Sequence, residues 1–234
     1  MKVETLKALN AARQARQALL LVTDIATGDE RLVTPEAIAA DPLSVDLAEQ
    51  LRKGKSAMVE RDGVKSFITV QVPPVKLVMV GAVHISQALC PLAAMVGFEP
   101  VIVDPRTAFA TPERFPGVTV IAEWPDVALP QLGVDRYTAF VALTHDPKID
   151  DPALNHALAR DCFYIGALGS RKTHAKRIER LLAAGHSEAA IARIKAPIGL
   201  DIGAISPAEI ALSIAAEITA ALRLESGEKK ARAA

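Results

Sequence analysis

The sequence predicts an α/β protein in which a doubly wound parallel sheet follows a smaller α+β domain. Three observations predict it. Leu77-Val78-Met79-Val80 is a wholly apolar run closed by Gly81, as a central parallel strand buried on both faces requires. His84 to Val96 then carries Ile85, Leu89, Leu92 and Val96 at helical spacing before Gly97, and Val101-Ile102-Val103 follows with Asp104 at its carboxyl end. Pro73-Pro74 breaks the chain ahead of this unit, which divides it into residues 1–72 and 73–234.

Taken in order, residues 1–17 read as a helix, with Leu6, Leu9 and Ala12 apolar. Ala18 to Ile25 is a strand, and the turn at Thr27-Gly28-Asp29 leads to Arg31-Leu32-Val33. Thr34-Pro35-Glu36 opens a short helix with Pro at its first position. Ser44 to Lys53 is a second helix, ended by Gly54. Ala57 to Glu60 and Val64 to Val72 flank Asp62-Gly63, a two-residue hairpin turn. Beyond the prolines, Val118 to Ala122, Thr138 to Leu143 and Phe163 to Ile165 are further strands. Helices are expected over Asp151 to Arg160, Arg171 to Ala184 and Glu188 to Lys195, the last capped by Ser187. Ser206-Pro207-Ala208-Glu209 is a capping box opening a long helix to about Leu224. The polar tail from Glu225 is expected to fray.

Composition excludes several classes. Half the residues are hydrophobic, enough for a sizeable core. Lys plus Arg equals Asp plus Glu at 27 each, which gives a nucleic-acid partner no support. No apolar run spans a bilayer, and the first residues lack the apolar centre of a signal peptide. The two cysteines, Cys90 and Cys162, form no CxxC, which fits a reducing cytoplasm. Both read as core residues, and no metal-ligand spacing is present.

The strand, turn, helix and strand from Lys76 to Asp104 form the opening βαβ of a Rossmann-like fold, with an acid about 20 residues past the turn. The glycine pattern that serves a dinucleotide falls on Gly81, Val83 and Ser86. A side chain at the middle position obstructs a pyrophosphate, so Val83 speaks against NAD(P). Ligands of such sheets bind at the carboxyl ends of the strands. The candidate residues gather there: Gly81 and His84, Asp104 and Arg106, then Thr144, His145 and Asp146, then Gly166 through Gly169, Ser170, Arg171 and Lys172. The last group leaves a strand and enters a helix, a favourable place for a phosphate. Asp201, between glycines in a Pro197 to Gly203 loop, joins this set. His145 is a candidate proton carrier or turn residue. His156, His174 and His186 read as solvated. Lys172, Lys176 and Arg180 share a helix face that reads as solvent-facing.

GAVH at 81–84, VDPR at 103–106, THD at 144–146, YIGALGSRK at 164–172 and PIGLDIGA at 197–204, followed by SPAEIALSIAAEI at 206–218, resemble the XdhC/CoxI family. The resemblance covers residues 75–223. Two departures are Val83, where the family has a second glycine, and an N-terminal domain without the family's SGGC and GSxPRxxG segments. The resemblance implies a Rossmann-like C-terminal domain and a cytoplasmic, dimeric accessory protein rather than an enzyme. Such a protein holds the molybdenum cofactor (molybdopterin or its dinucleotide form), assists its sulfuration and inserts it into a xanthine dehydrogenase-type apo molybdenum hydroxylase. A cysteine desulfurase is a candidate second partner. The alternatives are an NAD(P)-dependent oxidoreductase and a non-catalytic regulatory protein with a vestigial nucleotide site.

Overall fold

The structure, a computed structural model, describes residues 2–224. The chain divides into two compact units between Pro73 and Pro74.

The first unit runs α1 (Val3–Gln14), β1 (Leu19–Asp24), β2 (Glu30–Val33), a 3-10 turn (Pro35–Ala40), α2 (Ser44–Lys53), β3 (Ala57–Arg61) and β4 (Val64–Gln71). Its antiparallel sheet has the order β2-β1-β4-β3. Strand alternation explains why Leu19 to Val22 of β1 are all apolar: Leu20 and Val22 pack with Leu47 of α2, whereas Leu19 and Leu21 pack with Leu9 of α1. Asp62 and Gly63 both take positive φ, 51° and 77°, the conformation a two-residue hairpin demands.

The second unit runs β5 (Lys76–Val80), α3 (His84–Met95), β6 (Glu99–Val103), β7 (Thr119–Ile121), α4 (Pro125–Ala128), β8 (Thr138–Ala142), α5 (Pro147–Leu158), β9 (Tyr164–Ala167), α6 (Arg171–Ala183), α7 (Glu188–Ile191), β10 (Ile194–Lys195) and α8 (Pro207–Arg223). Its six strands are all parallel, in the order β10-β9-β8-β5-β6-β7. Numbered from its own first strand this is 6-5-4-1-2-3, the doubly wound order of a Rossmann sheet, with the topological switch between β5 and β8. Two cores sandwich it. Leu77, Met79, Ala139 and Val141 face α3 and α8, while Val78, Val80, Phe140 and Ala142 face α5 and α6. Each fully buried aliphatic side chain contributes about 1.5–3 kcal/mol, so the strands need no polar alternation.

Three local expectations are corrected. Helix α5 begins at Pro147, not Asp151: Asp146 caps it through the Lys148 amide at 2.9 Å, and Pro152 lies inside the helix rather than at its start. Helix α7 stops at Ile191, because Ile194 and Lys195 leave it to pair with Ile165 and Gly166 on the sheet edge. The short α4, with its one-turn 3-10 continuation to Gln131, has no counterpart in the sequence reading. The expected frayed tail, residues 225–234, lies outside the described residues.

Candidate functional site

The strand register brings the candidate residues to one rim. Val80 pairs with Val103 and Ala142, and Ala142 with Ala167. The residues that follow, Gly81, Asp104, Leu143 and Leu168, therefore emerge side by side at the carboxyl edge. Gly81 has φ +122°, and a Cβ there would stand 2.9 Å from Thr144 Cγ2 and 3.3 Å from the Leu143 carbonyl carbon. Glycine is needed so that the β5 and β8 exits can meet at the switch point.

The β5–α3 turn is closed by its own chain. The Asp104 side chain is fully buried and accepts from the Ala82 amide at 2.7 Å and the Arg106 amide at 2.9 Å. It also accepts from Arg106 Nε at 2.9 Å and Nη2 at 2.6 Å. Burial works to raise this carboxyl, but these hydrogen bonds outweigh it and hold the pKa below the ordinary value. Four bonds match the acceptor capacity of a carboxylate, so Asp104 has none left for a ribose hydroxyl. It positions Arg106 instead, whose guanidinium is partly exposed over the Phe109 ring at 4.8 Å. Arg114, which sequence reasoning missed, donates to the Ala82 carbonyl at 2.8 Å and to Gln87 at 2.9 Å. Ser86 donates to the Gly81 carbonyl. Val83 is half-buried against the α3–α8 core, so its side chain takes part in packing rather than standing free over the turn. His84 opens α3 and is exposed on the rim. The acid and amide that would serve a dinucleotide are thus already engaged, and the residues present do not fit NAD(P) in its usual seat.

On the other side of the switch, Asp150 organises the β8–α5 connection. Buried to 1% exposure, it accepts from Thr144 Oγ1 at 2.7 Å, the Thr144 amide at 3.3 Å and the His145 amide at 3.1 Å. Burial raises its pKa against those bonds. His145 takes a left-handed φ of 64° and stays exposed, and Asp146 is the α5 cap. Gly169, φ +131°, brings the β9–α6 turn beside it: a Cβ at Gly169 would lie 3.7 Å from His145 Nδ1. Ser170 caps α6 by accepting from the Thr173 amide at 3.2 Å, and Arg171 and Lys172 are exposed on its first turn. Gly166 serves packing, since a Cβ there would press on Ile198 and the Tyr164 hydroxyl. Asp201 is exposed on the loop between β10 and α8.

Between α5 and α6 lies a cavity of about 220 Å³, lined by His145, Asp150, Lys172, Thr173, Lys176 and Arg177 among others. The face expected to be solvated in fact walls this cavity. Arg180, also at the wall, pairs with Asp151 at 2.5 Å and 3.0 Å. Asp150 and Arg177 were missed by sequence reasoning. A signal for Arg177 existed: it lies one turn before the buried Leu181 and beside Ile178, on the core-facing stripe of α6. The three histidines expected to be solvated, two on helices and His186 in the turn after α6, are less so. His186 Nε2 lies 2.9 Å from Asn155 Oδ1, and burial lowers the pKa of His156 and His174.

Burial pushes the Cys90 thiol up to about 12 and the Cys162 thiol up to about 11, so neither supplies a thiolate near neutral pH. Among the described residues no group of three or more His, Cys, Asp or Glu is placed to hold a metal ion, and no helix is long and apolar enough to cross a membrane.

Known proteins share this architecture. A probable xanthine dehydrogenase subunit of Bacillus subtilis is 35% identical over 147 residues, covering 62% of this chain and 42% of that one. The Escherichia coli molybdenum cofactor insertion chaperone PaoD is 32% identical over 156 residues, covering 67% of this chain and 42% of that one. The chain thus spans less than half the length of both relatives. A crystal structure from Bacillus halodurans, described as a xanthine dehydrogenase, superposes with a TM-score of 0.67 at 24% identity, over 94% of this chain and 64% of that one, a likeness of fold. The profile of the XdhC Rossmann domain matches residues 77–218, which span the whole rim described above, and the chain therefore belongs to the XdhC family.

Proposed function

We propose that this chain carries a molybdenum cofactor, as molybdopterin or its dinucleotide form, and assists its insertion into an apo molybdenum hydroxylase of the xanthine dehydrogenase type. The observation that carries this reading is a rim rich in unpaired hydrogen-bond donors and positive charge, in a family with a relative named as a molybdenum cofactor insertion chaperone. The cofactor is a pterin ending in a phosphate. His84, His145 and Lys172 stand exposed along the rim, and Asp201 is available on a neighbouring loop for the amino edge of a pterin. Arg106, held in place by Asp104, adds a fixed guanidinium. The closed β5–α3 turn favours this cargo over a nicotinamide dinucleotide.

Sulfuration of the metal needs a sulfur donor. The two cysteines are buried with raised pKa values, so the reading assigns sulfur delivery to another protein, such as a cysteine desulfurase, and leaves this chain to hold and protect the cofactor. The test is mass spectrometry of small molecules that co-purify with the chain from a molybdate-fed host, together with reactivation of an apo-hydroxylase. Molybdopterin retained by the wild type and transferred to the apo-enzyme is the expected result. A chain that co-purifies with no pterin and leaves reactivation unchanged overturns the reading. Retained NAD(P)H would restore the oxidoreductase alternative.

A further inference from the structure

We propose that the cavity between α5 and α6 is a seat for a phosphate monoester, built around the guanidinium of Arg177 rather than around the glycine-rich tip of α6. Arg177 is 2% exposed and lines the cavity. Its Nη2 donates to the Leu168 carbonyl at 2.8 Å, whereas Nε and Nη1 have no hydrogen-bond partner. Asp150 does not supply one. Its nearest oxygen is 3.9 Å from Nη2, too long for a hydrogen bond, and its oxygens already accept from Thr144 and His145. A buried guanidinium with idle donors is costly unless an oxyanion takes them, and a phosphate can accept from Nε or Nη1 together with the second hydrogen of Nη2, the fork that guanidinium favours.

The surroundings support the same ligand. Lys172 and Lys176 are exposed at the cavity's edge, and Thr173 offers a hydroxyl there. Arg180 adds a fourth cation, which Asp151 neutralises. Asp150 is the one carboxylate in the lining, so positive charge is in excess. The volume of about 220 Å³ admits a tetrahedral oxyanion with a few waters. His145 both lines this cavity and stands at the β8 exit, so a ligand held here by its phosphate extends toward the switch point. The pocket chemistry stands on its own; only the identity of the physiological phosphate, the terminal group of the proposed pterin cargo, rests on the carrier reading.

The probes are inorganic phosphate and phenyl phosphate, titrated calorimetrically into the full chain at fixed ionic strength, with phenol as control. We expect both phosphates to bind and to raise the melting temperature through linkage, and phenol to do neither. The Lys172→Ala/Lys176→Ala double variant, altered only at exposed positions, should weaken binding about tenfold or more. Arg177→Met should abolish it, and Arg177→Lys should restore part. If Arg177→Met fails to fold, the double variant still decides. Absence of phosphate binding, or binding unchanged in the double variant, overturns the proposal. The two readings fail separately. Phosphate binding without pterin retention sinks the carrier and leaves the pocket. Pterin retention equal in the wild type and the double variant, with phosphate binding lost in the variant, sinks the pocket as the cargo's seat and leaves the carrier.

Discussion

Asp104 commits all its acceptor positions within a short stretch of its own chain and the Ala82 amide, which makes it a keystone of the rim. Removing its charge leaves the Ala82 amide and Arg106 without a counterpart, so Asp104→Asn should cost about 2–3 kcal/mol at pH 7. The folded pKa is depressed, so this stabilisation is present above the unfolded carboxyl's value of about 3.9 and disappears as pH falls through the folded value. The gap between wild type and variant in urea melts should therefore narrow below about pH 4; a gap independent of pH would contradict the assignment. Asp150 has the opposite sign: its raised pKa makes its charge unfavourable to folding, and acid relieves that cost. Gly81 is a steric case. Gly81→Ala places a methyl 2.9 Å from Thr144 Cγ2 at φ +122° and should destabilise by about 1–3 kcal/mol in thermal melts, while Gly97→Ala, with open space around its Cβ position, should cost less.

At the scale of elements, the loop from β10 to α8 is tied to the helix by a carboxylate and by the Leu200 amide, which donates to the Ser213 carbonyl at 3.2 Å. Glu217, on α8, accepts from the Tyr164 hydroxyl on β9 and from the Gly199 amide at 2.9 Å. Burial is the main force raising the Tyr164 pKa, and the nearby Glu217 charge adds to it, so the phenol remains a donor. Glu217→Ala should release the loop, with faster hydrogen exchange at the Gly199 amide and proteolysis between residues 199 and 205, at a cost of about 1–3 kcal/mol. Protection unchanged at Gly199 would mean that Ile198, packed on Gly166, and the Leu200–Ser213 backbone bond anchor the loop without it. Helix α8 itself is set by a reciprocal cap: Ser206 accepts from the Glu209 amide, and Glu209 accepts from the Ser206 and Ile205 amides at 2.8 Å. Ser206→Ala should therefore cost about 1 kcal/mol without moving the helix.

For the whole molecule, the buried clusters separate at the prolines. The clusters around Leu20 and Leu9 draw only on residues before Pro73, and those around Met79 and Phe140 only on residues after it. We expect a fragment of residues 74–234 to unfold in one cooperative transition and to keep its phosphate affinity. A fragment without a cooperative melt would show that the larger unit depends on the smaller one. Five of the six strands were legible because strands covered on both faces must be apolar throughout, and because the helices between them carry signals such as Ser187, Ser206 and Gly97. The two-residue β10 was not legible: a strand that short carries no periodicity, and partners distant in sequence define it. The first turn of α5 was missed because Asp146-Pro147, its cap and first residue, reads equally well as a turn from the sequence.

By itself, the sequence determined the sheet, the turn chemistry and the rim at which the candidate residues meet, since burial and backbone conformation act over a few residues. Only the tertiary structure decided which of those polar groups remain available. Asp104 is taken up by the Ala82 amide and Arg106, and one oxygen of Asp146 by the Lys148 amide, while Arg177, an ordinary helix residue in the sequence, is buried beside Leu168 and Asp150 with donors left over. The pairing of a charge depends on neighbours brought from other elements and on the loss of water around it, and neither is written into local order along the chain.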